Sequence, residues 1–323
     1  MIDWQSEKRP IVALAPMADM TDSAFCRVAK RRGCRLVFRE MVSAEALTRG
    51  SDKTLAMAAF HDEERPIVLQ LFGSDPEAMA EATRRLDERY DPDAFDINMG
   101  CPAKKIAGDF NGASLMRDPA RAATIVRAMK DATTKPVSVK TRLGWSQPDE
   151  ILDFVKVLED AGADLISIHG RTKAQGYSGK ADWTAVGRAK ALVSVPMLVN
   201  GDIFSAGDAI EALRISGCDG LLVARGALGN PWIFGQIDDV LSGREPQEVT
   251  DNDRITTVLE HARLHAESQG GDRPLVTFRK HLVWYFRGAP GARRLRERLV
   301  QAETLDDLTE LIGNADLRNG EKN

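Results

Sequence analysis

The 323-residue sequence lacks several features that would place it in a specialised class of protein. No apolar run approaches the roughly 20 residues needed to cross a bilayer, and the longest runs, such as 220–224, have the length of a strand. The N-terminal segment mixes acidic and basic side chains and has no apolar core of the kind found in secretory signals. We therefore expect a cytoplasmic protein that does not associate with a membrane.

Cysteine and histidine are both scarce. The chain has four cysteines and five histidines, with no CxxC pair and no histidine-rich tract. Such a sequence predicts neither a disulfide framework nor a metal site. Any functional cysteine would therefore act as a free, reduced thiol. The four cysteines are Cys26, Cys34, Cys101 and Cys218.

Charge is unevenly distributed along the chain. The net charge of -4 argues only weakly against a polyanionic partner. Residues 273–298, however, carry eight basic side chains and one acidic one, a net charge of +7 that leaves -11 for the rest. This layout is typical of a catalytic domain with a nucleic-acid-binding appendage, although a solvated helix face would also explain it. The basic residues are Arg273, Arg279, Lys280, Arg287, Arg293, Arg294, Arg296 and Arg298.

Eight short apolar or β-branched runs recur over about the first 225 residues. Most intervals between them have helical spacing, for example Ile151, Phe154, Val155 and Leu158. Eightfold strand and helix alternation predicts an α/β fold of the (β/α)₈ TIM-barrel type, in which strands buried on both faces are continuously apolar. The runs are 11–15, 36–38, 67–71, 95–98, 137–140, 165–168, 197–200 and 220–224.

The alternation stops after residue 232. Helical spacing follows at 254–268, 275–287, 291–301 and 305–312, without another strand-like run. We therefore predict a catalytic barrel over residues 1–240 and a small all-helical domain over 250–316. The polar segment 242–253 would connect them.

Polar residues follow the predicted strands, where a TIM barrel builds its active site. Lys140, His169, Asn200 and Arg225 each close a different strand and should converge on one pocket. The loops at 200–202 and 224–229 are rich in glycine and include a basic residue, as in barrels that bind a phosphate group there.

Four residues together indicate the cofactor. Pro16 and Met17 would form a rigid apolar shelf, Gln70 could hydrogen-bond a heteroaromatic edge, and Lys140 could stabilise negative charge on a reduced ring. These are the requirements of flavin mononucleotide (FMN), with its phosphate on the two glycine-rich loops. Each residue also has an ordinary structural explanation, as core packing, a buried amide or a paired lysine.

Cys101 is the one cysteine that follows a predicted strand directly, in the tight loop GCP. A cysteine there could act as a nucleophile or as a general acid. The other three are not at the C-terminal end of a strand and fit the default of buried, inert thiols.

Several segments together resemble the bacterial tRNA-dihydrouridine synthases, and the B-type subfamily most closely. They occur in order at barrel-compatible spacing, and the helical tail resembles the tRNA-binding domain of that family. The segments are APMADMTD (15–22), QLFGSDP (70–76), DINMGCPAKK (96–105), VKTRLGW (139–145), IHGRTKAQGYSGKADW (168–183), VNGDI (199–203) and ARGALGNPWIF (224–234).

The resemblance implies an FMN enzyme, reduced by NADPH or NADH, that reduces the C5=C6 bond of a D-loop uridine in tRNA. Cys101 would donate the proton, and Asn98, Arg142 and Arg171 would hold the flipped uracil and nearby phosphates. The basic helical residues would orient the tRNA, and no obligate protein partner is implied. As a separate hypothesis, Lys104 and Lys105 face RNA phosphate and not the sulfur of Cys101, since nearby positive charge would favour a thiolate that cannot donate a proton. Residues around FMN would be Pro16, Met17, Ala18, Gln70, Lys140, His169, Asn200, Gly201, Asp202, Ala224 and Arg225.

Two other functions remain open at this level. A flavin barrel that reduces small molecules, such as an ene or dihydropyrimidine reductase, would share the barrel and its phosphate loops. It would not account for the basic C-terminal segment. A non-catalytic RNA chaperone would account for that segment but would have no use for a flavin site.

Overall fold

A computed structural model describes residues 2–102, 111–268, 275–287, 297–299 and 301–313. Eight parallel strands form a barrel that closes where β2 pairs with β4, which confirms the predicted TIM-barrel fold. A ninth strand, β3, has two residues and pairs with β4; it is too short to stand out in the sequence. The strands are β1 (Ile11–Leu14), β2 (Leu36–Phe38), β3 (Val42–Ser43), β4 (Ile67–Phe72), β5 (Ala94–Met99), β6 (Val137–Arg142), β7 (Leu165–His169), β8 (Met197–Asn200) and β9 (Gly220–Val223).

Helices surround the barrel and follow most of its strands. Several begin at a capping side chain, as where Asp22 accepts a hydrogen bond from Phe25 N at the start of α1. No helix in the described ranges is long and apolar enough to span a membrane. The barrel helices are α1 (Ser23–Arg31), α2 (Ala44–Thr48), α3 (Asp52–Ala58), α4 (Pro76–Tyr90), α5 (Pro119–Ala132), α6 (Ile151–Asp160), α7 (Trp183–Lys190), α8 (Ala206–Ser216) and α9 (Ile233–Leu241).

The interior of the barrel is filled by apolar side chains toward the N-terminal ends of its strands. Ile2 and Trp4, which precede the first strand, join this cluster, and the Trp4 ring stacks on Phe38 with centroids 6.4 Å apart. Because packing fills the barrel interior at this end, the interior opens toward the opposite end, where the strands finish.

The register of the strands brings the predicted site residues together. Asn98 lies opposite Lys140, Arg142 lies opposite His169, and His169 lies opposite Asn200. Adjacent parallel strands are about 4.7–4.9 Å apart, so these side chains surround one opening.

The C-terminal segment is helical and has a core of its own. It comprises α10 (Asp251–Ser268), a 3₁₀ turn (Leu275–Phe278), α11 (Arg279–Tyr285) and α12 (Leu305–Gly313). Trp232, Val258, Leu282 and Leu308 belong to its buried cluster, and α10 packs against α1 of the barrel. The connecting segment is shorter than the predicted 242–253, because residues 251–253 belong to α10. The boundaries 1–240 and 250–316 stay a prediction.

Candidate active site

A cavity of about 320 Å³ opens at the C-terminal ends of the strands. This volume lies within the range of small-molecule sites. Every residue predicted for the site except Arg171 lines it: Pro16, Met17, Ala18, Gln70, Asn98, Cys101, Lys140, Arg142, His169, Asn200, Gly201, Asp202, Ala224 and Arg225.

Cys101 differs from the other three cysteines in its exposure. Its thiol is half-buried and lines the cavity, whereas Cys26, Cys34 and Cys218 are buried elsewhere. Burial raises the pKa of Cys34 to about 12 and that of Cys218 to about 11. Only Cys101 can therefore meet a ligand in the cavity.

A chain of buried polar groups fixes the backbone of the Cys101 loop. The Asn98 carboxamide oxygen accepts hydrogen bonds from the backbone N of Gly100 at 3.2 Å and of Cys101 at 3.0 Å. Its Nδ2 donates to Gln70 Oε1 at 2.9 Å, and Gln70 Nε2 donates to Asp96 Oδ2 at 2.6 Å. Ser138 Oγ donates to the other oxygen of Asp96 at 2.5 Å. The loop is thus positioned from the barrel interior.

Gly100 is favoured by close backbone packing in the same loop. A Cβ at this position would lie 3.2 Å from the carbonyl carbon of Thr141 and 3.3 Å from its oxygen, closer than most Cβ contacts. A larger residue would therefore require a shift of a few tenths of an ångström between this loop and β6.

Lys140 brings a cation to the cavity. Among the described residues, its ammonium group has no hydrogen-bond or ion-pair partner. Burial, together with repulsion from Arg142, lowers its pKa from 10.5 to about 8, against the attraction of Asp96. An unpartnered ammonium at a cavity wall is suited to an anionic or electron-rich ligand.

His169 is a neutral ring in a strongly basic surrounding. Burial lowers its pKa well below the ordinary value, and Lys140, Arg142 and Arg171 add to this effect. Arg171 Nη1 lies 3.1 Å from His169 Nε2 and can only donate, so Nε2 must accept. The ring proton is then on Nδ1, where it can serve as a hydrogen-bond donor.

The wall formed by the loops after β8 and β9 is cationic and sterically tight. Gly201 has φ of +115°, and a Cβ there would lie 2.7 Å from the His169 ring. A Cβ on Gly226 would lie 2.1 Å from the carbonyl oxygen of Ile203. The Arg225 guanidinium lies beside these glycines, and Asp202 Oδ1 is 3.3 Å from it.

The structure places Arg171 behind this wall and not at the cavity surface. Its guanidinium is almost fully buried and donates to the carbonyls of Ser178 and Gly179. It also forms an ion pair with Asp202 Oδ2 at 2.6 Å. Arg171 does not line the cavity, and its role in holding uracil or a nearby phosphate stays a prediction. Arg171 neutralises Asp202, so the positive charge of Arg225 remains available.

Sequence reasoning missed Tyr177, which lines the mouth of the cavity. Its side chain is 59% exposed, and the guanidinium groups of Arg225 and Arg142 lie 4.9 and 5.5 Å from the ring centroid. Arg142 also donates to the carbonyls of Gly100 and Gly176, which joins two loops. The signal available in the sequence was that Tyr177 is one of only three tyrosines and occurs in a glycine-rich loop.

The structure gives a mixed outcome for the predicted RNA contacts. The Arg279 guanidinium donates to Ala302 O within the helical segment, whereas Arg287 is exposed beside the Trp284 ring. Arg298 is also exposed. Residues Lys104, Lys105, Arg273, Arg293, Arg294 and Arg296 lie outside the described residues.

The fold and the cavity together define a (β/α)₈-barrel enzyme with a partly cationic cavity at the C-terminal ends of its strands. The dihydrouridine synthase (Dus) family model matches residues 13–319. The chain belongs to this family, and its cofactor is a flavin. The B-type subfamily stays a prediction.

Individual relatives agree with the family match. The chain is 38% identical over 308 residues to a probable tRNA-dihydrouridine synthase 1 of Synechocystis, covering 94% of this chain and 86% of that one. It is 40% identical over 296 residues to a probable tRNA-dihydrouridine synthase of Rhodobacter capsulatus, covering 91% and 90%. A solved 2-naphthoyl-CoA reductase shares the fold at 13% identity and a TM-score of 0.56, over 72% of this chain and half of the longer one.

Proposed function

We propose that this flavin enzyme is a cytoplasmic tRNA-dihydrouridine synthase that holds FMN in the cavity and uses NADPH or NADH as reductant. The observation that carries the proposal is that the one accessible cysteine shares a cavity with an unpartnered lysine and a cationic, glycine-rich wall. This combination suits a reduction that ends in protonation of carbon.

The residues of the cavity fit FMN by their chemistry. The loops containing Gly201 and Gly226 and the Arg225 guanidinium would hold the phosphate, since backbone and cation approach one wall. Lys140 and the Nδ1–H group of His169 would hydrogen-bond the polar edge of the ring, and Pro16 and Met17 would contact its face.

The reaction requires a hydride at C6 of uracil and a proton at C5. A bound, reduced FMN supplies the hydride. Cys101 would hold the proton on Sγ and donate it to C5 as negative charge develops there, leaving a thiolate to be reprotonated by solvent. Asn98 would fix the position of Cys101 through its hydrogen bonds to the loop. Tyr177 would contact the base at the mouth of the cavity.

The uridine must leave its stack in the tRNA to reach the cavity, which costs a few kcal/mol. We propose that the helical segment over 250–316 offsets this cost through contacts with phosphates, for which exposed Arg287 and Arg298 are available.

The purified protein should carry flavin and convert unmodified tRNA to tRNA containing dihydrouridine, with oxidation of NADPH. Absorbance spectroscopy would measure the bound flavin and the oxidation of NADPH. Mass spectrometry of nuclease digests would measure dihydrouridine in the tRNA. Faster reduction of free uridine or of an enone would instead identify a small-molecule reductase. A protein without flavin that binds RNA would identify a chaperone.

Lys140→Met is expected to weaken FMN binding about 10- to 100-fold, because hydrogen bonds to charged groups contribute about 1.5–3 kcal/mol. The Lys140 ammonium, with a pKa of about 8 in the free cavity, loses its charge as pH rises through that value. FMN affinity of the apoprotein should therefore fall above about pH 8 in the wild type and not in the variant. Fluorescence titration at several pH values measures this.

Lys130→Met is the matched control, because Lys130 forms an ion pair with Asp164 outside the cavity. Its FMN affinity and pH profile should follow the wild type. If the FMN affinity of Lys140→Met falls at alkaline pH as much as that of the wild type, Lys140 does not contact the flavin.

Arg171→Ala should weaken FMN binding about 10-fold, although Arg171 does not reach the cavity. Without its 2.6 Å partner, Asp202 would compete with phosphate for Arg225. Adding Asp202→Asn should restore most of the affinity, since asparagine tolerates the φ of +55° at this position. A double variant no better than Arg171→Ala would contradict this account and favour a direct contact.

A further inference from the structure

Three of the five histidines meet in one cluster whose side chains do not line the cavity. His261 and His265 are on α10, His281 is on α11, and all three are buried around Asp22 at the start of α1. The ligand atoms of Asp22, His261 and His281 lie within 4.8 Å of one another. The cluster therefore joins the barrel to the helical segment.

Two imidazole nitrogens in this cluster have no partner in the described part of the chain. They are Nε2 of His261 and Nε2 of His281, in rings that are 0% and 2% exposed. A buried polar atom without a hydrogen bond costs about 1–3 kcal/mol, so two at one place require an explanation. His281 Nε2 is 4.0 Å from Asp22 Oδ2, too far for a hydrogen bond.

The surrounding contacts resemble the second shell of a metal site. His261 Nδ1 lies 3.0 Å from the hydroxyl of Tyr285, which can hold the tautomer that leaves Nε2 as a ligand. His265 Nδ1 is 3.2 Å from Asp22 Oδ2 and its Nε2 is 2.8 Å from Thr277 Oγ1. Phe25 lies against both His261 and His281, which excludes bulk water.

We propose that Asp22, His261 and His281 bind one zinc ion that fastens the helical segment to the barrel. Two imidazoles and a carboxylate are a common zinc ligand set, with water in the fourth position. Ligand bonds of about 2.0–2.1 Å bring ligand atoms to about 3.3–3.4 Å of one another, so the site must contract by up to about 1.4 Å.

The ion would also act on the flavin cavity. Asp22 follows Thr21, whose Oγ1 accepts a hydrogen bond from Met17 N at 2.9 Å. Met17 lines the cavity. Zinc at Asp22 would therefore fix the position of the helical segment relative to the loop that forms one wall of the active site.

Metal binding to the untagged, full-length protein tests the proposal. After removal of metals with a chelator, zinc should bind at one ion per chain in isothermal titration calorimetry, and magnesium should not replace it. His281→Gln and His261→Gln should each abolish this binding. His265→Gln should weaken it about 10- to 100-fold, as expected when a second-shell partner is removed.

His61→Gln is the matched control, because His61 is an exposed histidine on the barrel. It should bind zinc as the wild type does, and loss of binding in this variant would overturn the proposal. Melting curves in metal-free buffer identify any variant that does not fold.

X-ray absorption of the zinc-loaded wild type gives a test that needs no variant. The expected first shell contains nitrogen and oxygen at about 2.0–2.1 Å and no sulfur. Sulfur at about 2.3 Å would place the ion at a cysteine, and absence of tight zinc binding would show that the cluster binds no metal; either result overturns the proposal.

Discussion

Replacing Cys101 with alanine is expected to lower dihydrouridine formation by about 10²- to 10⁴-fold, the usual contribution of a positioned general acid. The reason is that no other thiol of the chain lines the cavity, so nothing replaces the lost proton at C5. Flavin content and oxidation of NADPH in the absence of tRNA should stay close to the wild type. Single-turnover assays with reduced protein and unmodified tRNA would measure the step itself.

Cys218→Ala is the appropriate control for this experiment. Cys218 is buried outside the cavity, and its thiol plays no part in the proposed chemistry. Its rate of dihydrouridine formation should match the wild type. Equal turnover in Cys101→Ala and the wild type would remove the thiol from the mechanism, and loss of flavin would show that Cys101 shapes the cavity instead.

The strand ends explain why so much of the site could be predicted from the sequence. In a parallel barrel, the residue after each apolar run must lie at the same opening, whatever the loops do. Lys140, His169, Asn200 and Arg225 therefore needed only the eight runs to be placed correctly. Their convergence in one cavity also depends on strand register, which places Arg142 opposite His169 and His169 opposite Asn200.

Residues whose position depends on loop conformation were harder to predict. Arg171 lies near the C-terminal end of a strand, as Lys140 does, yet the loop containing Ser178 and Gly179 folds over its guanidinium and supplies acceptors. The same loop brings Tyr177 to the cavity mouth. No periodic pattern in the sequence predicts this loop conformation, because it depends on hydrogen bonds from the Arg171 side chain to particular backbone carbonyls.

Contacts between distant parts of the chain were beyond any local pattern. Asp22 and His281 are more than 250 residues apart, and each is unremarkable among its neighbours in sequence. The expectation of no metal site rested on ligand spacing within short motifs. The histidine cluster arises only because α10 packs against α1, which brings three separate elements to one point.

Reversing the charge of Arg293, Arg294 and Arg296 to glutamate is expected to weaken tRNA binding by about 10²-fold or more at about 0.1 M salt. Each phosphate contact contributes about 0.7–0.9 to the salt slope, which corresponds to roughly five- to eightfold in affinity at that concentration. The salt slope should therefore fall by about 2–3. Filter binding or anisotropy over a series of salt concentrations measures both quantities, and flavin content should not change.

The matched control reverses three exposed arginines on the outer barrel helices, Arg84, Arg89 and Arg214. Net charge changes by the same amount in both triple variants, so general repulsion of RNA would weaken binding equally. A contact surface requires that only the C-terminal variant lose affinity and salt slope. If both slopes stay at the wild-type value, the basic segment is a solvated face, and the uridine must be presented to Cys101 by contacts around the cavity alone.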